Sequence, residues 1–132
     1  VTEQYPEGLG PTNAGLAKAL GDVPVLAKTA FGCLGDAGFR AALEASGREQ
    51  LLVTGVEAHV CVLQTALQAL EEGYAPFVVR DAVSARALAQ HDAALARLEM
   101  WGVTLVTAEM AMFELLGEAG TPLFKKVLPL LK

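Results

Sequence analysis

Only two cysteines, Cys33 and Cys61, occur in 132 residues. That is too few for a framework of several disulfides, and no C-x-x-C pair is present. Free thiols of this kind fit a reducing cytoplasm. Charged residues are scarce at 19%, and the balance of 10 Lys and Arg against 15 Asp and Glu leaves a net charge of −5. An acidic chain whose basic residues nowhere cluster beyond Lys125-Lys126 excludes a nucleic-acid binder that relies on phosphate contacts. No apolar run reaches the roughly 18 residues that a membrane-crossing helix needs, so no membrane partner is expected. The opening Val1-Thr2-Glu3-Gln4 has neither the basic region nor the apolar stretch of a secretion signal. What is abundant is apolar: 53% of the residues are hydrophobic, far from a disordered composition. The length suits one domain, residues 1–132, with a real core.

Short apolar runs alternate with amphipathic stretches. Pro24–Ala27 reads as a strand, and Asp36 to Ser46 as a helix stopped by Gly47. Leu51–Thr54 is a continuous apolar strand closed by Gly55. A helix from about His59 to Glu72 comes next, with Val60, Leu63, Leu67 and Leu70 at helical spacing and Gly73 as its stop. Phe77–Val79 is the next strand. Ser84 or a close neighbour caps a long helix with Leu88, Leu95 and Leu98 among its apolar positions. Val103–Val106 is the last strand, followed by a helix from about Ala108 to Leu116 and a short one opened by Pro122. Unbroken apolar strands between helices predict an α/β fold, a parallel sheet covered on both faces. The first 22 residues carry too many turn formers, among them Pro6, Gly8, Gly10 and Pro11, for regular structure.

The sequence has no G-x-S-x-G elbow, no P-loop and no G-x-G-x-x-G; Gly32, Gly35 and Gly38 have the wrong spacing. His59 and His91 lie far apart, without a carboxylate at ligand spacing, so neither a metal nor a cofactor is expected. Cys61 remains. It falls in the first turn of the helix after Leu51–Thr54, at the carboxyl end of a strand where open parallel sheets bind ligands. A helix N-terminus favours an anion and can hold an oxyanion. Position alone leaves two readings open, a catalytic thiol and a small apolar filler. Lys28 ends the strand Pro24–Ala27 at the same edge, either as a cation beside the thiol or as a solvated strand-end lysine. Cys33 reads as a packing or pocket-lining residue, and Asp81 and Arg86 as a pair that fixes the turn between them.

Taken together, these segments resemble the isochorismatase-like cysteine hydrolases, in particular the isochorismatase domain-containing proteins. The residues that carry the resemblance are Thr2-Glu3-Gln4-Tyr5-Pro6 through Thr12, Ala27-Lys28-Thr29-x-Phe31, Gly55-Val56-Glu57-Ala58-His59-Val60-Cys61-Val62, Asp81–Arg86 and Phe124-Lys125-Lys126. Gly32 stands where the family often has serine. The resemblance implies a three-layer α/β/α fold and a triad of Asp, Lys and Cys. In it Cys61 attacks a carbonyl-type carbon and Lys28 assists proton transfer and holds charge. It further implies a non-proline cis peptide at Val56–Glu57, aiming the N–H groups of Glu57 and Cys61 at the oxyanion. Gln4, Tyr5 and Phe31 would line the substrate pocket.

One departure weighs against that picture. The family's Asp lies on a first strand upstream of the loop at Thr2, and neither Asp22 nor Asp36 matches it. The resemblance therefore implies that the first strand and helix are missing from this chain. In a sheet of order 3-2-1-4-5-6 the absent strand would be central, and its gap would close by re-pairing, by a partner chain or by another segment. Two functions stand as expectations. One is a small-molecule hydrolase acting on an amide or related C–N bond, since family members that cleave isochorismate's vinyl ether do not rely on this thiol. The alternative is an inactive, structural or ligand-binding member. Either would form a homo-oligomer, dimer or tetramer.

Overall fold

In the computed structural model, which describes residues 1–131, five strands form two parallel sheets rather than one. β1 (Thr2–Gln4) pairs with β2 (Leu26–Lys28), and β3 (Gln50–Val56), β4 (Ala75–Ser84) and β5 (Thr104–Val106) pair in that order. Among the described residues neither β1 nor β3 has a strand on its other side. The chain does not close the expected gap by re-pairing. The fold class is α/β, with helices packed on parallel strands.

Along β4, alternation puts Val78 on one face and Phe77 and Val79 on the other, and the irregularity in its pairing with β3 brings Val83 back to the face of Val78. Val78 and Val83 face Ala58, Val62, Leu63, Ala66, Ala94, Leu95, Leu98 and Val103, the main core under α4 (Leu63–Glu71) and α5 (Leu88–Met100). Phe77 and Val79 face Val106, Ala108 and Ala111 on α6 (Ala108–Leu116). Apolar residues on both faces of one strand are what two helical layers require. Gly55 sits at φ +113, at the bulge where the β3–β4 register shifts, a conformation that a side chain would strain. Leu98 is wholly buried in the main core. Leu98→Ala is expected to cost about 2–5 kcal/mol, read as a lower urea midpoint at unchanged slope.

Several elements differ from the sequence reading. Residues 1–22 are not irregular: β1 is followed by α1 (Pro6–Leu9) and α2 (Ala14–Leu20). Turn formers here start helices, with Pro6 in the first turn of α1 and the Asn13 side chain accepting from Gly15 and Leu16 N–H. α3 (Ala37–Ser46) has the expected ends, Asp36 accepting from Phe39 N–H and Gly47 left-handed. Ser84 does not cap α5. It is still in β4, paired with Val56, and Ala87 holds the cap position without a side-chain bond. Leu88 is exposed rather than apolar lining. The helix after β3 opens with a π-helical turn, Ala58–Val62, in which Val62 N–H reaches Glu57 O at 3.2 Å. Of the apolar positions read from the spacing, Leu63 is buried and Leu67 and Leu70 pack against the main core; Val60, inside the π-helical turn, does not join it, and Val62 and Ala66 are buried there. The chain ends in α7 (Pro122–Val127) and a 3₁₀ turn, Leu128–Leu131.

Candidate active site

The carboxyl ends of β1 and β2 and the turn after β3 converge on one oxygen atom. Gln4 and Lys28 are register partners across β1 and β2, and Tyr5 N–H donates to Lys28 O at 2.9 Å. Lys28 is only 4% exposed. Its ammonium donates to Gln4 Oε1 at 2.5 Å, Ala30 O at 2.8 Å and Phe31 O at 2.9 Å. Three donors meeting three neutral acceptors satisfy a buried ammonium, which settles the open choice against a solvated lysine. Cys61, half-buried in the π-helical turn, donates its S–H to the same Gln4 Oε1 at 3.7 Å. The structure thus brings together the two candidate catalytic side chains and Gln4. Among the described residues no carboxylate bonds to Lys28 or Cys61.

The remaining candidates lie around this point. The Val56–Glu57 peptide is cis, and Val56 is exposed. In the turn that follows, Glu57 O accepts from Val60 N–H at 3.1 Å and from Val62 N–H at 3.2 Å. Tyr5 folds over Gly8, where a Cβ would lie 2.2 Å from Tyr5 Cε1, so its half-exposed ring rests on α1. Phe31 contributes its carbonyl to Lys28 and leaves its ring exposed. Cys33 is buried, its Sγ 3.6 Å from Thr2 Oγ1 and its N–H donating to Thr65 Oγ1 at 2.9 Å.

The pairing of Asp81 with Arg86 does not occur. Arg86 instead spans both oxygens of Glu57, Nε at 3.0 Å from each and Nη2 at 2.5 Å from Oε2. Asp81 Oδ1 accepts from Ala108 N–H at 2.8 Å, at the start of α6. The nearer acid in sequence lost to one 29 residues away, because the turn after β3 and the end of β4 are neighbours in the sheet. The Arg86 hydrogen bond holds the Glu57 carboxyl below the usual carboxylate range. A depressed carboxyl contributes stability above the unfolded value and loses it as pH falls through the folded one. Arg86→Gln is therefore expected to lower the urea midpoint at pH 7, with the gap from the parent narrowing once the pH drops below about 4.

A depression of about 210 Å³ lies on the Lys28 side, lined by Tyr5, Pro6, Glu7, Ala27, Lys28, Thr29 and Asp36. A larger groove of about 950 Å³ runs across the α6 face of the second sheet, past Leu52, Phe77, Val106, Ala111 and Leu115, and includes neither Cys61 nor Lys28. Lys28 lines the smaller depression, and Cys61 and Gln4 line neither. Among the described residues no three His, Cys, Asp or Glu side chains are grouped to hold a metal, and no helix is long and apolar enough to cross a membrane.

The model of the isochorismatase domain matches residues 1–110 of the chain. The chain belongs to the isochorismatase domain family. Isochorismatase domain-containing protein 2A of Mus musculus is 41% identical over 137 residues, covering 100% of this chain and 63% of that protein. The structure of MAR1 ribonuclease from Caenorhabditis elegans superposes with a TM-score of 0.90 at 38% identity, covering 98% of this chain and 67% of that one. The YcaC gene product of Escherichia coli, described as an octameric hydrolase of unknown specificity, gives 0.75 at 32% identity, with 80% and 53% covered. The chain spans just under two thirds of the length of the curated relatives it matches, for example 65% and 63%. As a member of the isochorismatase domain family it shares an isochorismatase-like hydrolase fold, and its Cys61 turn and the Lys28 strand end meet at Gln4 Oε1.

Proposed function

We propose that this chain is a small-molecule hydrolase of the isochorismatase-like family that cleaves an amide or related C–N bond with Cys61 as nucleophile. The observation that carries the reading is the shared Gln4 oxygen, 3.7 Å from Cys61 Sγ and 2.5 Å from Lys28 Nζ. It puts a half-buried thiol beside a buried cation at the carboxyl edge of a parallel sheet. Sulfur attacks the carbonyl carbon and the carbonyl electron pair moves to oxygen, which the N–H groups of Glu57 and Cys61 receive. The tetrahedral adduct collapses, the C–N bond breaks, and the amine departs with the proton that left the thiol. Water then hydrolyses the thioester and restores the S–H. Lys28 supplies positive charge to this sequence, since its three N–H groups are engaged and it carries no lone pair while they are. The retained Lys28, Gln4 and Cys61 arrangement favours this reading over that of an inactive remnant, despite the lack of a matching Asp.

A phosphodiester substrate, as the ribonuclease name of the Caenorhabditis elegans neighbour would suggest, fits this chain poorly. Its net charge is −5, its site lysine is saturated by neutral oxygens, and Arg86 is committed to Glu57. The deciding experiment incubates the full chain and its Cys61→Ala variant with a panel of small primary carboxamides and with an RNA oligonucleotide. Ammonia release by the parent alone, with intact RNA, is the expected result. RNA cleavage that survives in Cys61→Ala would overturn the assignment. Self-association belongs to the same reading: the exposed Leu52 and Leu115 of the large groove favour burial against a second copy. Sedimentation at micromolar concentration is expected to show a species heavier than the monomer, and monomer alone would contradict it.

A further inference from the structure

Gln4, a candidate pocket residue from the sequence, touches both Lys28 and Cys61. Its side-chain amide is held at both ends. Nε2 donates to Thr29 O at 2.7 Å, and Oε1 accepts from Lys28 Nζ at 2.5 Å and from Cys61 Sγ at 3.7 Å. This pattern fixes which amide atom points where. An ammonium needs an oxygen and a carbonyl needs an N–H, so a flipped amide would place N–H against N–H at one end and oxygen against oxygen at the other. The backbone reinforces it, because Gln4 is the last residue of β1 and Tyr5 N–H bonds to Lys28 O at 2.9 Å. Gln4 thus occupies the space between ammonium and sulfur and fills it with a neutral dipole.

We propose that Gln4 is a positioning residue, whose side-chain oxygen ties the Lys28 ammonium to the Cys61 thiol and governs how much of the lysine's charge the sulfur feels. The proposal rests on the hydrolase reading for its catalytic meaning, but its physical content concerns the sulfur alone. Two near-isosteric replacements act in opposite directions. Gln4→Met removes the acceptor and leaves one ammonium N–H free to turn toward sulfur, while Ala30 O and Phe31 O still hold the other two. Gln4→Glu keeps an acceptor oxygen and adds a negative charge beside the sulfur, which disfavours the thiolate.

The test follows alkylation of Cys61 by iodoacetamide at fixed pH, with the modified peptide mapped. Gln4→Met is expected to react about tenfold faster than the parent and Gln4→Glu about tenfold slower, the size of effect that one charge within 4–6 Å has on a protonation equilibrium. The acceleration should vanish when Lys28→Met is combined with Gln4→Met. Buried Cys33 serves as an internal gauge, since a misfolded variant exposes it and labels both thiols. Rates within twofold of the parent in both variants, a change of the same sign in both, or acceleration that survives without Lys28 would overturn the proposal. A failed hydrolase reading looks different: amide turnover then persists in Cys61→Ala, whatever the alkylation rates show.

Discussion

Cys61→Ser should reduce amide turnover by about 10³-fold or more, to within about tenfold of Cys61→Ala, while leaving the fold intact. A serine hydroxyl at this position needs a base to take its proton, and the sulfur's only hydrogen-bond partner among the described residues is the neutral Gln4 Oε1. The nearest imidazole on the same turn gives no help. His59 directs Nε2 at Glu57, 3.8 Å away, and its Nδ1 is buried without a partner. A thiol loses its proton far more readily than a hydroxyl, so this site suits sulfur and not oxygen. Single-turnover kinetics with the best carboxamide of the panel would measure the loss. A serine variant retaining a tenth of the parent rate would show that another group is the nucleophile.

Lys28→Met should damage both stability and activity. The substitution keeps length and apolar stem but takes the ammonium donor from the part-buried Ala30 O and Phe31 O. Stranding buried acceptors costs about 1–3 kcal/mol each, so a net loss of about 2–4 kcal/mol is expected in urea unfolding. Turnover should fall about 10²- to 10³-fold through loss of charge near the developing oxyanion. Lys28→Arg is not a conservative rescue. A planar guanidinium cannot aim three donors from one nitrogen at Gln4, Ala30 and Phe31, and its extra volume must enter a buried site. Stability lost in Lys28→Met but turnover unchanged would reduce the lysine to a structural strut.

Much of this site was legible in the chain itself, because local signals decided it. Asp36 and Gly47 bound α3 as a side-chain cap and a left-handed glycine must, and the apolar run after Gln50 is β3. The motif segments around Lys28 and Cys61 carried the family, the strand ends and the likeness in fold. What failed was long-range. Lys28's burial depends on Gln4, 24 residues earlier on another strand, and on two loop carbonyls that no spacing rule marks. Arg86's partner was decided by the β3–β4 pairing and not by the nearest acid. The π-helical turn also took Val60 out of the main core, though Leu63, Leu67 and Leu70 face it as their spacing indicated. Pro6, read as a turn former, lies in the first turn of α1.

The central claim is that the Cys61 sulfur forms a covalent bond to its substrate's carbonyl carbon. Acid quenching of the full chain during turnover of a carboxamide, with intact-mass analysis and peptide mapping of the quenched protein, tests it directly. An acyl mass increment is expected on the peptide containing Cys61, released by hydroxylamine and absent from Cys61→Ala. Steady turnover with no acyl group on that peptide, or with the acyl group on another residue, would contradict it.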